Sequence, residues 1–291
     1  MNQFFNNIKP GGQLLALVLI FVVLFIIAVG AMIIMILVEG NPVSLGSQAV
    51  SQIVAFAGTA LVFAWMFQES PLEYLKITGG HRVGKGMLGA TLVLLCVIPL
   101  SDWLTTVNES WHFPQSMAWL EEQLRQNTEK SQALVESFLL RDGVGAFLSN
   151  LLVLAVLPAI CEELLFRGAL QQTLGRCLRN PHVVIWLTAA IFSLFHGEVF
   201  AFLPRFMLGA ALGYLFYYGG SLWINATAHF LNNAILVVLY YLANLGVIEI
   251  DMTESFNTPW YLALAGLVVA ILFFRLFFCK KNDNISLDEN S

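Results

Sequence analysis

The fold is decided by residues 151–172, LLVLAVLPAICEELLFRGALQQ, in which a wholly apolar run meets two adjacent glutamates and an arginine. A helix needs about 20 mostly apolar residues to cross about 30 Å of hydrocarbon, and this run with its apolar neighbours is long enough. An ionisable group inside such a helix costs at least about 2.5–3.5 kcal/mol, so Glu162, Glu163 and Arg167 are candidate functional residues. The stretch predicts a membrane-spanning helix built around buried charges.

The composition extends this prediction to the whole chain of 291 residues. Hydrophobic residues make up 58% and charged residues 11%, and the mean hydropathy is +0.76. A soluble domain carries about 25% charged residues, so a water-facing globule, a disordered chain and a secreted disulfide scaffold are excluded. The net charge of −5 argues against nucleic acid as a partner. We expect a polytopic membrane protein whose first partner is the lipid bilayer, while its oligomeric state is not indicated.

We predict an all-α fold with about eight membrane-spanning helices, taking about 20 apolar residues for each. Most of the 14 basic residues fall in alternate loops, which by the positive-inside rule places both termini in the cytoplasm. The short loops favour the cytoplasmic membrane of a bacterium. The predicted spans are residues 14–38, 50–67, 87–104, 144–166, 182–199, 200–218, 222–245 and 260–278.

Three regions follow from these spans. Residues 1–143 form three helices and a long outer loop, residues 144–245 form a core of four helices, and residues 246–291 form a last helix and a polar tail. In the outer loop, residues 116–126 (SMAWLEEQLRQ) predict a short amphipathic helix at the membrane interface.

The helical repeat sorts the charges of the fourth span by face. Residues four apart share a face, so Arg167 lies beside Glu163. Glu162 projects about 100° away and is free to face another cavity. A structural role is the alternative, since an intramembrane ion pair can simply hold helices together.

Histidines occur on two further predicted helices. His196 lies near the far end of the fifth span, with Phe192 one turn earlier. His229 and Asn233 are four residues apart on one face of the seventh, and Asn225 precedes them by one turn. Each histidine taken alone could be a packing residue, but together with the glutamates they form a constellation.

These motifs resemble those of the CPBP family, which comprises type II CAAX prenyl endopeptidases, Abi proteins and bacteriocin-processing or immunity proteases. The resemblance covers residues from about 144 to 240 and includes an FRG sequence at residues 166–168. The matching motifs are Glu162-Glu163-x-x-x-Arg167, Phe192-x-x-x-His196 and His229-x-x-x-Asn233.

The resemblance implies an intramembrane endopeptidase acting on a peptide or membrane-protein substrate. By that resemblance Glu162 is the general base that deprotonates a water, assisted by His196. His229 and Asn233 donate hydrogen bonds to the oxyanion. Glu163 and Arg167 orient Glu162. Whether the substrate is prenylated is not indicated by any residue.

Three alternatives stay open. The favoured reaction needs no cofactor, but a zinc ion held by Glu162, His196 and His229 is the alternative. The four cysteines have no CxxC spacing and are not expected to bind zinc. A proton-coupled transporter would also use buried acids, although here the acids are confined to one half of the chain. A non-catalytic immunity or scaffold protein would keep the fold and bind a partner.

Overall fold

The computed structural model describes residues 8–40, 44–79, 83–249 and 257–279, and within these ranges it contains helices and no strand. The polar tail predicted from residue 280 lies outside the described residues, as do Arg82, Lys280 and Lys281, which contributed to the predicted orientation. The helices are α1 (Pro10–Glu39), α2 (Leu45–Phe67), α3 (Pro71–Tyr74), α4 (Val83–Glu109), α5 (Ala118–Leu139), α6 (Val144–Leu178), α7 (Pro181–Phe195), α8 (Phe202–Gly219), α9 (Leu222–Asn244) and α10 (Trp260–Cys279).

Seven of the described helices are long and apolar enough to cross a membrane, namely α1, α2, α4, α6, α8, α9 and α10, the α8 span starting at Val199. This confirms the predicted all-α membrane bundle, and the protein is an integral membrane protein. The fifth predicted span, 182–199, is wrong in its extent because α7 has only 15 residues. Gly197 adopts a φ of 70°, a left-handed conformation that ends helices, so α7 stops before His196.

Two other helices are longer than the sequence predicted. The amphipathic helix expected at residues 116–126 is α5, which continues to Leu139. Helix α6 continues past Phe166 to Leu178, so the charged residues lie near its middle rather than near its end.

Helix α6 contains two π-helical turns, Leu151–Val156 and Leu164–Gln171. The first lies just before Pro158, whose ring and missing N–H disrupt the preceding turn of a regular helix. The second carries Arg167. A π-helical turn contains an extra residue and therefore changes which side chains share a face, and such turns are frequent at functional sites.

The described helices pack around three apolar clusters, the smallest of which joins α4 and α10 through Val93, Val97 and Ala270. Buried phenylalanines from α2, α6, α7 and α8 meet in the first, which includes Phe63, Phe166, Phe192 and Phe216. The second joins α4, α8 and α9. Helix α10 packs closely against α4, because a Cβ at Gly266 would come within 2.5 Å of the Cys96 carbonyl oxygen. Small residues allow this kind of close approach between membrane helices.

The amphipathic helix α5 is fixed at its N-terminal end by Glu121. The Glu121 carboxylate accepts hydrogen bonds from the Phe113 N–H (2.7 Å), from Arg125 Nε (3.0 Å) and from His112 Nδ1 (3.0 Å). The Phe113 N–H, with Arg125 and His112, lowers the pKa of Glu121 to about 2. The Arg125 guanidinium in turn lies 3.9 Å from the centre of the Phe200 ring. This end of α5 is therefore joined to the segment that follows His196.

The C-terminal end of α5 is held by two asparagines. Asn150 Nδ2 on α6 donates to the Phe138 carbonyl (2.7 Å), and Asn244 Nδ2 on α9 donates to the Leu139 carbonyl (2.9 Å). The last carbonyls of a helix have no partner within the helix, so these amides act as a cap from neighbouring helices. Helix α5 thus bridges one end of the bundle.

Asn108, near the end of α4, is fully buried and connects that helix to the beginning of α8. Its Nδ2 donates to the Val199 carbonyl (3.0 Å), and its Oδ1 accepts from the Leu203 N–H (2.7 Å). One amide therefore satisfies a backbone donor and a backbone acceptor close to His196.

We predict that Asn108→Ala destabilises the protein by about 2–3 kcal/mol, since each buried backbone group left without a partner costs about 1–3 kcal/mol. The measurement is the unfolding temperature in detergent. Asn127→Ala, on the exposed side of α5, is the matched control and should leave that temperature unchanged. Equal unfolding temperatures for the two variants would contradict the assigned role of Asn108.

Candidate functional site

The centre of the site is an ion pair between Glu163 and Arg167 on α6, and both side chains are fully buried. Arg167 NH1 lies 2.7 Å from Glu163 Oε1, as the four-residue spacing predicted. Arg167 NH2 donates to the carbonyl of Gly209 on α8 (2.9 Å). The guanidinium also lies 4.7 Å from the centre of the Phe192 ring on α7. Arg167 therefore contacts a carboxylate on α6, a backbone carbonyl on α8 and an aromatic ring on α7.

Glu163 has two further partners, both on α9. Asn225 Nδ2 donates to Glu163 Oε2, and His229 Nδ1 lies 2.8 Å from Glu163 Oε1. Because a carboxylate only accepts hydrogen bonds, Nδ1 of His229 is the protonated nitrogen. The second nitrogen, Nε2, is thereby directed away from Glu163.

Glu162 points in a different direction from Glu163, as the 100° offset predicted. Its Oε1 accepts a hydrogen bond from Gln52 Nε2 on α2 (3.0 Å). Its Oε2 is buried and has no hydrogen-bond partner among the described residues. That same oxygen lies 3.9 Å from His229 Nε2. One imidazole thus stands between the two carboxylates.

His196 directly follows the last residue of α7 and is exposed, in contrast to the other candidate residues. Its Nδ1 lies 2.9 Å from the Phe192 carbonyl and donates to it, which leaves Nε2 free. The His196 ring packs edge-on against Phe192, with the ring centres 4.9 Å apart, and Phe192 lies 5.9 Å from His229 in the same way.

Asn233 is half-buried and lies one turn after His229 on α9. Its Oδ1 accepts a hydrogen bond from Asn232 Nδ2 (3.1 Å), and its own NH₂ group remains available as a donor. The structure therefore brings together Glu162, Glu163, Arg167 and His229, with His196 and Asn233 at the edge of the group.

The predicted site lacked two residues that bind the carboxylates, Gln52 and Asn225. Gln52 is a polar residue inside the second predicted span, and this position is the sequence feature that could have identified it as a site residue. Asn225 shares a helical face with His229, and that spacing was noted, but the spacing does not show which carboxylate the face meets.

A cavity of about 500 Å³ lies between α5 and α9, and its lining includes none of the candidate residues. Leu236 and Tyr240 line it and continue along α9 the face of His229 and Asn233. Its opposite wall includes Glu198 and Arg205, whose charged groups are 2.5 Å apart. The cavity is large enough for several side chains of a peptide.

The predicted zinc alternative requires Glu162, His196 and His229 to surround one point. Among the residues that the structure describes, no group of three His, Cys, Asp or Glu side chains is placed to hold a metal ion. Glu163 binds His229 Nδ1 and Gln52 binds Glu162 Oε1, whereas His229 Nε2 and Glu162 Oε2 lie 3.9 Å apart.

Residues 144–235 match the family described as type II CAAX prenyl endopeptidase Rce1-like. This match contains every candidate residue found on α6, α7 and α9, and it confirms the resemblance to the CPBP family for this part of the chain. Gln52 lies outside the matched residues.

Two relatives from Bacillus subtilis (strain 168) are similar over part of this chain. The uncharacterized protein YyaK is 28% identical over 147 residues, which cover 46% of this chain and 49% of YyaK. The uncharacterized protein YpbD is 30% identical over 93 residues, which cover 30% of this chain and 43% of YpbD. The chain thus spans about half the length of the curated relatives it matches or less. No solved structure matches it significantly.

We predict that Arg167→Met destabilises the protein by about 3–5 kcal/mol, because it leaves the Glu163 charge buried without its cation. The double variant Glu163→Gln/Arg167→Met should recover part of this loss, since it removes the buried charge as well. Unfolding temperatures in detergent report both effects. A double variant less stable than Arg167→Met alone would show that the charge of Glu163 is not the source of the cost.

Proposed function

We propose that this chain, whose residues 144–235 match the type II CAAX prenyl endopeptidase Rce1-like family, is an intramembrane peptidase that uses a water activated by Glu162. The observation that carries the proposal is the division between the two carboxylates. Glu163 is surrounded by Arg167, Asn225 and His229. Glu162 keeps one buried oxygen without a described hydrogen-bond partner.

Peptide hydrolysis needs a base for the water, donors for the oxyanion and a proton for the leaving amine. In the proposed reaction Glu162 Oε2 takes a proton from the water, and the water oxygen bonds to the peptide carbon. His196 Nε2 orients the water. The same proton then passes from Glu162 to the amide nitrogen as the C–N bond breaks, which yields a carboxylic acid and an amine.

The oxyanion of the tetrahedral intermediate is bound by donors on α9. His229 serves as a donor at Nε2 when both ring nitrogens are protonated, with Nδ1 donating to Glu163 Oε1 at 2.8 Å. Asn233 offers its NH₂ group, since its oxygen is occupied by Asn232. Losing one such donor typically costs about 10²–10³ in turnover.

The proposed substrate is a peptide segment at or in the bilayer, and it reaches the site through the cavity between α5 and α9. A prenylated CAAX tail is one candidate, on the basis of the family description, and a bacterial cytoplasmic membrane is the proposed location. The lining of the cavity mixes apolar residues with Glu136, Glu198 and Arg205, so it favours a substrate with both apolar and polar side chains.

We expect Glu162→Gln to lower cleavage by about 10²–10⁴-fold, because the amide cannot accept the proton of the water. The assay uses purified protein in detergent with a fluorogenic prenylated CAAX peptide and a mixed library of membrane peptides. Glu122→Gln, an exposed glutamate on α5, is the control and should cleave at the wild-type rate. An unchanged unfolding temperature shows that the Glu162→Gln variant is folded.

The cleavage assay, together with a measurement of uptake, distinguishes the other two functions. A folded wild type that cleaves no peptide would favour a non-catalytic immunity or scaffold protein. Uptake into proteoliposomes that depends on Glu162, without cleavage, would favour a proton-coupled transporter.

We also expect cleavage to survive an excess of a zinc chelator, because the proposed reaction uses only side chains of this chain. The measurement is the initial rate with and without chelator after extended incubation. Loss of cleavage on chelation, with recovery on adding zinc, would overturn the metal-independent proposal.

A further inference from the structure

A second cavity, of about 400 Å³, lies at the opposite end of α6 from α5, where α6 turns into α7. It is separate from the cavity between α5 and α9 and shares no lining residue with it. Its lining combines three basic residues, Lys76, Arg176 and Arg179, with polar and aromatic side chains, and none of the lining residues is acidic.

The basic groups lack carboxylate partners. Among the described residues, no Asp or Glu lies within salt-bridge distance of Lys76, Arg176 or Arg179. Lys76 is half-buried, and its ammonium lies 4.5 Å from the centre of the Phe216 ring. Burial lowers the pKa of Lys76, because desolvation disfavours its charge. Binding of an anionic ligand would offset the cost of keeping this cation half-buried without a counterion.

The backbone of Lys76 is held in place by a hydrogen bond to another helix. Its backbone carbonyl accepts a hydrogen bond from the Leu222 N–H (3.0 Å), which ties it to the start of α9. Tyr74 is tied to α6 in the same region, through its hydroxyl to Thr173 (3.0 Å) and to Arg176 NH2 (3.1 Å). Hydrogen bonds therefore fix the wall of the cavity that Tyr74 and Lys76 form.

The chemistry of the cavity fits a phosphate group. Guanidinium groups bind phosphate oxygens through paired hydrogen bonds, and an ammonium adds a compact charge. The remaining wall is apolar and aromatic, with Val184, Phe216 and Tyr217. Tyr217 is exposed near the C-terminal end of α8, so this wall of the cavity reaches the flank of a helix that is apolar enough to cross a membrane.

We propose that this cavity binds a net-negative phosphate group, and that an anionic phospholipid headgroup supplies it. The positive-inside prediction places this end of the bundle at the cytoplasmic leaflet, where anionic lipids attract basic residues. The apolar wall accommodates the first part of an acyl chain. The cavity also includes Gln171, one turn after Arg167, so a bound lipid contacts the helix that carries the candidate active site.

The test measures the unfolding temperature of the purified full-length protein in detergent as a function of ligand concentration, since a ligand that binds the folded state raises it. The three probes are short-chain phosphatidylglycerol, short-chain phosphatidylcholine with the same acyl chains, and inorganic phosphate. We expect phosphatidylglycerol to stabilise the wild type and phosphatidylcholine to leave it nearly unchanged.

Two variants and a control complete the design. Lys76→Gln/Arg179→Gln should weaken phosphatidylglycerol binding by about fivefold for each charge removed. Arg179→Gln alone changes only an exposed side chain, so it tests the proposal even if the double variant does not fold. Lys130→Gln, an exposed lysine on α5, should bind like the wild type. Arg176 is left in place because it also lines a neighbouring cavity with Glu69 and Glu73.

The outcomes separate the sources of the phosphate. Stabilisation by phosphatidylglycerol alone assigns the lipid, and stabilisation by inorganic phosphate alone would replace the lipid by a soluble phosphate compound at the same site. Equal stabilisation by both lipids, or equal binding of phosphatidylglycerol by wild type and Arg179→Gln, would overturn the proposal.

Discussion

A carboxylate that is buried within a membrane bundle must be surrounded by donors, and Glu163 imposes this requirement on the whole core. Its partners lie on its own helix α6 and on α9, and its cation Arg167 reaches α8 and the Phe192 ring of α7. A buried ion pair is weak evidence for net stability, because desolvation offsets much of the attraction. Its effect here is on arrangement, since four helices are aligned by the contacts of two side chains.

This alignment gives the neighbouring Glu162 a different environment from Glu163. Two adjacent carboxylates on one helix would repel each other in a medium of low dielectric constant. The structure separates them by direction, with Glu163 facing a cation and Glu162 facing the Gln52 amide and one edge of His229. Such a difference in environment is how two like groups take on different roles in a site.

The sequence predicted those features that depend on local spacing. The Glu163–Arg167 pair, the divergence of Glu162 and the shared face of Asn225, His229 and Asn233 follow from the helical repeat, which is set within a few residues. The end of α7 was missed because apolar residues resume at Val199 directly after the short polar stretch 196–198, whereas the helix stops at the conformation of Gly197.

Local spacing does not predict which side chains meet between different helices. The pairing of His229 with Glu163 joins residues 66 positions apart, and that of Gln52 with Glu162 joins residues 110 positions apart. Each depends on how far one helix is rotated and shifted against another, which hydropathy does not encode. The π-helical turn around Arg167 changes this rotation further, and its sequence reads as an ordinary helix.

The short length of α7 has a consequence for the bilayer itself. At 1.5 Å per residue, its 15 residues extend about 22 Å, whereas the hydrocarbon layer is about 30 Å thick. Lipids next to a helix that is too short respond by thinning, and polar headgroups then move inward. The thinned side is the one where His196 is exposed, so mismatch between protein and lipid would bring interfacial water toward the candidate site without a pore through the bundle.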